Sequence, residues 1–202
     1  MGDNLMTEEG RAPLDEELVD FAQTIADQVE SFLIAVQAVS RGEEGGSAVP
    51  LMLLETSQLL LAGARLGMQV DFELQEEYEP DAGPDPDLDA MRHRLGVLFE
   101  DFDAFTVVFD PYAETPEVVP TLLSDELTSI ATAIAHGLRH YRSGRVTEAL
   151  WWWQLSYHVS WGSEAIAVLR ALQAVVAHDR LDTDLGSDDD AVIEALEILE
   201  RD

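Results

Sequence analysis

The residues best suited to chemistry in this 202-residue chain lie in its second half. His136 and His140 are four apart, so a helix through them sets both imidazoles on one face, the arrangement of many paired metal-binding histidines. Gly137, not Glu, follows His136, so the general base of the His-Glu-x-x-His zinc-peptidase pattern is missing. A metal at this pair needs carboxylates from another element; the two histidines are weak candidates, and no metal or other cofactor is expected. The second concentration is aromatic, Trp151-Trp152-Trp153 followed by Trp161-Gly162. Consecutive residues on a helix point about 100° apart. At least one of the three Trp must therefore be exposed or cover a neighbouring loop.

Steps of three and four from Trp151 reach Leu155, His158, Gly162, Ala165, Leu169, Leu172 and Val176, which is the expected core stripe. Gly162 and Ala165 narrow it, so that another helix can approach closely. His158 reads either as a half-buried histidine bonded to a carboxylate or as a proton-transfer group beneath Trp walls. An adjacent face carries Trp153, Tyr157, Glu164 and Val168, with Arg170 nearby. Glu164 and Arg170 also fit simple surface or inter-helix pairing. Tyr112, Trp151, Trp152, Trp153, His158, Trp161, Glu164 and Arg170 are the candidate contacts for a ligand or partner; no catalytic residue is assigned.

Composition removes several chemistries. The chain has no Cys, which excludes disulfides, thiolate nucleophiles and Cys-based metal sites. All eleven cations are Arg, so Schiff-base and phosphate-binding lysine chemistry is excluded as well. There is no phosphate-binding Gly loop and no Gly-x-Ser-x-Gly, and the acidic runs over 81–89 and 182–190 lack calcium-loop spacing. A net charge of −30 opposes nucleic acid and anionic membrane surfaces and favours basic partners or plain solubility. Residues 1–9 lack the basic and apolar segments of a secretory leader. The apolar stretch 49–66 contains Glu55, Ser57 and Gln58, which reads as too polar for a bilayer span. A cytoplasmic location without membrane contact is expected.

These residues need helices to position them. Leu18, Phe21, Ile25, Val29, Phe32, Val36 and Val39 recur with helical spacing over 15–39. Pro50 suits the first turn of a second helix over 50–66, whose Leu residues surround its circumference, so it is expected at the centre of the bundle. Residues 68–78 read as a short strand or an extended connector, and 76–87 as a Pro-rich acidic loop. A third helix is expected over 88–102, with Asp87 as N-cap and Leu88, Met91, Leu95, Leu98 and Phe102 on one face. Residues 106–109 look extended, and Pro116 and Pro120 keep the chain irregular until Ser124 caps a fourth helix. The longest helix is expected over 146–178, and a short amphipathic one over 188–200. The result is a single all-α bundle of about six helices with at most one short strand pair. Its expected divisions are a flexible 1–14, a helical domain over 15–180, and an acidic linker with a short peripheral helix over 181–202.

Phe109-Asp110-Pro111-Tyr112, Leu123-Ser124-Asp125-Glu126-Leu127 with Ile130, Gly137-Leu138, Ala149-Leu150-Trp151 with Trp153, Trp161-Gly162 and Leu169-Arg170-Ala171-Leu172 together resemble a family of uncharacterised bacterial proteins of about 200 residues, classed as a domain of unknown function. The resemblance implies a mostly helical fold and lends no activity. The family box carries Arg after the second Trp, His before Trp-Gly and His two residues beyond that Gly. Gln154, Ser160 and Glu164 occupy those places here. His-based chemistry at the box would therefore be lost in this chain.

Two functions remain open. One is a non-enzymatic helical module acting through a protein partner. The other is a small-molecule binder or enzyme with a Trp-walled pocket over 151–170. Oligomeric state is not legible in the sequence.

Overall fold

The apolar residues spaced by three and four from Leu18 onward form helix α1 (Glu16–Ser40), which buries Ile25, Val29, Phe32, Val36 and Val39. The computed structural model describes residues 16–184. The expected N-terminal segment 1–14 and the short helix over 188–200 lie outside the described residues.

Helix α2 (Ala48–Gly67) has Pro50 in its first turn, where no intrahelical N–H is needed. It buries Met52, Leu59 and Leu66 against α1 and the C-terminal helix, while Leu54 and Leu61 are 52% and 56% exposed. This corrects its expected central place. An all-round Leu pattern measures how much apolar surface a helix has, not how many neighbours it finds. By length and composition alone, Gly45–Gly67 and Val146–Leu181 both match a bilayer span, so polar residues within 49–66 do not by themselves exclude one.

Residues 68–88 contain no helix or strand, so the 68–78 segment is a connector. Helix α3 (Asp89–Leu98) is shorter than expected. Met91, Leu95 and Phe99 form its buried edge, whereas Leu98 is 40% exposed. Asp87 does not occupy the N-cap position, but its carboxylate accepts the Asp89 N–H at 3.1 Å.

Strands β1 (Ala104–Val108) and β2 (Val118–Leu122) form one antiparallel hairpin, with Phe105 opposite Thr121 and Thr106 opposite Pro120. A strand through Pro120 was not expected. The Phe109 N–H bonds to the Glu117 carbonyl, so the hydrogen-bonded pairs are 109/117, 107/119 and 105/121. Pro120 therefore falls where the backbone nitrogen points away from β1, a place on an edge strand that tolerates proline.

Helix α4 (Leu123–Arg142) is the inner helix of the bundle and packs against α1, α3, α5 and α6. Ser124 does not cap it. The cap comes from outside, because Asp103 accepts the Ser124 N–H and Oγ–H, each at 2.8 Å, through its two carboxylate oxygens.

The expected longest helix is three helical stretches: α5 (Val146–Ser156), a π-turn (Tyr157–Trp161) and α6 (Gly162–Asp184). It continues past the expected end at 178. In the π-turn the Gly162 N–H reaches the Tyr157 carbonyl, five residues back. The core face runs through Leu150 and Trp153 rather than through Trp151 and Leu155. Its buried side chains include Leu150, Trp153, Gln154, Trp161, Ala165, Val168 and Leu172, while Leu155 is 41% exposed.

Candidate functional site

The one-face placement of His136 and His140 on α4 turns both rings toward the 68–88 connector. Glu79 of that connector brings one carboxylate oxygen, Oε1, to 2.6 Å from His136 Nε2 and 2.9 Å from His140 Nε2. His140 is fully buried, and its Nδ1 has no hydrogen-bond partner among the described residues. His136 Nδ1 lies 3.2 Å from Asp85 Oδ1 and 2.8 Å from Arg139 Nη2. Arg139 binds the same loop, donating to the Pro84 carbonyl at 2.8 Å and to Asp85 at 2.7 Å. The Arg139 hydrogen bond, then that of His136, holds the Asp85 carboxyl below its usual value.

Trp152 closes this cluster from the α5 side. Its ring packs on His136 at a tilt of 33° with centroids 4.0 Å apart, and its Nε1–H donates to the Ala133 carbonyl. Of the three consecutive Trp, this one is part-buried and sits over His136, while Trp153 takes the core.

The other aromatic candidates do not form a pocket wall. Trp153 and Trp161 are fully packed into the core, with their Nε1–H groups donating to the Ile134 and Trp153 carbonyls. Gly63 and Gly137 make that packing possible: a methyl on Gly63 would come within 2.5 Å of the Tyr157 ring, and one on Gly137 would overlap the Trp153 indole. Gly162 serves its own helix instead, since a methyl there would overlap the Tyr157 carbonyl. Trp151 is half-buried, and His158 is exposed, off the core face. The reason lies upstream of the π-turn: the core face of α5 runs through Leu150, Trp153 and Gln154, so the stripe counted from Trp151 has left the core at Leu155, before it reaches His158.

Gln154 is a structural tether. Its Nε2–H donates to the Leu66 carbonyl at 3.0 Å and its Oε1 accepts the Phe72 N–H at 2.9 Å, joining the start of the connector to α5. Glu164 is half-buried; burial raises its carboxyl above the usual value, the Ser129 hydrogen bond opposes this, and Glu126 adds to it.

Tyr112 and Arg170 lie elsewhere. Tyr112 is 95% exposed in the hairpin loop. Arg170 is exposed on α6 and faces β1 across a groove of about 760 Å³. The strand side of this groove is Phe105 to Phe109 with Pro111, and the helix side includes Ile166, Ala167, Ala171 and Ala174. The sequence signalled Arg170 but neither the groove nor Glu79. One of 41 acidic residues becomes the third member of the histidine cluster only when the connector folds back over α4.

An inner helix surrounded by four others, with one hairpin beside it, defines a small, mostly helical bundle. The chain belongs to the family described as Domain of unknown function (DUF5063), whose model matches residues 16–178. Comparison with curated proteins finds no match. Protein BF1032 from Bacteroides fragilis, known from a crystal structure, is similar with a TM-score of 0.58 and 19% identity, over 80% of this chain and 92% of that one. At that identity the likeness shows a shared fold.

Proposed function

We propose that the protein is a binding module that docks an extended segment of a partner protein in the groove between β1 and α6. The observation that carries this reading is the unequal pair of hairpin edges. By the register above, the backbone N–H and C=O groups of Thr106 and Val108 point away from β2, toward the groove they line. The opposite edge is blunted by Pro120, which has no N–H to offer. An incoming strand therefore has one edge to add to, and backbone pairing supplies affinity while alternate side chains enter the apolar wall.

The exposed apolar residues fit this use. Val108 and Phe109 are 49% and 79% exposed on the strand side, and Ile166 is 58% exposed on the helix side. Arg170 provides guanidinium donors for carbonyl groups of the segment that strand pairing leaves unused. Asp110, Glu114 and Glu117 lie in the hairpin loop beside the groove, and the chain carries −30 overall. The segment is accordingly an alternating apolar strand flanked by basic residues, whose approach the field accelerates.

The test is selection of random displayed peptides on the full chain, followed by affinity measurement by fluorescence polarisation. Selected peptides should share alternating apolar positions with basic flanks. Ile166→Asp and Thr106→Pro should each weaken binding at least tenfold, roughly 1.4 kcal/mol. Both positions lie on the surface, so circular dichroism should show the bundle intact. Peptides whose binding survives both substitutions would sink this reading.

A further inference from the structure

We propose that Glu79, His136 and His140 form a binding site for a divalent transition-metal ion of the zinc class, and that the ion fastens the Pro-rich acidic loop to α4. The candidate ligand atoms of these three residues all lie within 4.8 Å of one another. Both Nε2 atoms approach the same Glu79 oxygen, at 2.6 and 2.9 Å, so two rings and one carboxylate already converge on one point. A tetrahedral ion with bonds of about 2.0–2.1 Å separates its ligand atoms by roughly 3.3 Å. The Glu79 oxygen reaches that spacing by drawing back roughly half an ångström from the two Nε2 atoms, and the histidine ligand atoms lie within 4.8 Å of each other. Such a shift is within the freedom of a glutamate on a connector without regular structure.

The groups around the site suit ligation. A histidine that binds a metal through Nε2 carries its proton on Nδ1, and a carboxylate beside Nδ1 holds the ring in that tautomer. At His136 Nδ1, Arg139 Nη2 stands at 2.8 Å as a donor and Asp85 Oδ1 at 3.2 Å as an acceptor, so ligation through Nε2 moves the ring proton to Nδ1 and passes that nitrogen from Arg139 to Asp85. Nothing among the described residues bonds His140 Nδ1, so the chain does not hold that ring in the opposite tautomer. Two imidazole nitrogens and one carboxylate oxygen favour zinc, cobalt or nickel over magnesium and calcium, which take oxygen ligands. His140 is fully buried, whereas the His136 and Glu79 side chains are 16% and 28% exposed, so solvent reaches one side and can supply a fourth ligand.

The consequence is mechanical. Glu79 lies between Gln154, which ties down residue 72, and Arg139, which ties down residues 84 and 85. An ion at Glu79 adds an attachment between these, beside the hydrogen bond from Gln75 to Thr147. This site is separate from the groove between β1 and α6 and does not depend on its use.

The test uses the full chain, stripped with EDTA and desalted, and titrated with Zn²⁺ by calorimetry and with Co²⁺ by visible absorption. One ion per chain and a four-coordinate Co²⁺ spectrum are expected, with slower proteolysis within 76–88 when Zn²⁺ is present. Glu79→Gln and His136→Gln should each lower Zn²⁺ affinity at least tenfold, while Asp81→Asn in the same loop leaves it unchanged. Circular dichroism keeps a folding defect distinct from a lost ligand, and the buried His140 is left intact for the same reason. No Zn²⁺ uptake overturns the proposal. So does uptake that Glu79→Gln leaves unchanged or that excess Mg²⁺ displaces, since either marks general attraction to the acidic coat.

Discussion

Gly137 lies against the indole of Trp153, with no room for even a methyl between α4 and α5. The contact is tight because Trp153, fully buried, donates its Nε1–H to the Ile134 carbonyl, which draws the ring onto the helix surface where Gly137 sits. Gly137→Ala must displace the indole, the hydrogen bond or the helix. Overpacking of this kind costs about 1–3 kcal/mol, and the small gain in helix propensity from Ala does not offset it. Urea unfolding should show a lower midpoint with an unchanged slope; an equal or higher midpoint would contradict the close packing.

Gln154 gives a second, local prediction. Gln154→Leu keeps the volume nearly constant but leaves the Leu66 carbonyl and the Phe72 N–H without their side-chain partner. Unsatisfied buried groups cost about 1–3 kcal/mol each, less where water can reach them. The distinguishing readout is hydrogen exchange, which should accelerate at the Phe72 amide while the α1 core amides keep their slow exchange. Uniform acceleration instead would mean that the residue only supports global stability.

Asp103 carries the N-terminus of α4 through two 2.8 Å bonds to Ser124. Asp103→Ala should cost about 1–2 kcal/mol, the loss of a strong helix cap, and Asp103→Asn should retain part of it. Ser124→Ala removes only the hydroxyl bond and should be milder. If Ser124→Ala proved the more damaging change, the cap would belong to Ser124 after all.

The pH dependence of Glu164 has a definite sign. Burial, its largest cause, raises the folded-state value above the ordinary one. Between the two values the folded protein binds more protons than the unfolded chain, so stability from this group falls as pH rises through that window. Glu164→Gln should remove this contribution and raise the melting temperature at pH 7. The advantage should shrink as pH falls through that window and be gone below the ordinary glutamate value. An advantage that stays constant across the acid range would point to a cause other than ionisation.

Spacing alone determined α1, the position of α4 and the shared face of His136 and His140, because the 3.6-residue period is a local property that survives any packing. It also determined that three consecutive Trp could not share one core, and Trp152 covers a histidine while Trp153 is buried. Other features were decided by tertiary structure. Which face of the Trp helix turns inward was one of them: packing buried Trp153, Trp161 and Val168 and left Leu155 and His158 out, because Gly137 and Gly63 leave room for the Trp153 and Trp161 rings. Capping passed from Ser124 to Asp103 because the hairpin returns the chain to the start of α4. Glu79 and Arg170 acquired their settings in the same way. Any of many carboxylates can meet a histidine pair, and which one does depends on the path of a connector held by Gln154 and Arg139. Local sequence sets which side chains point together on one element; only the packing of distant elements sets what they meet.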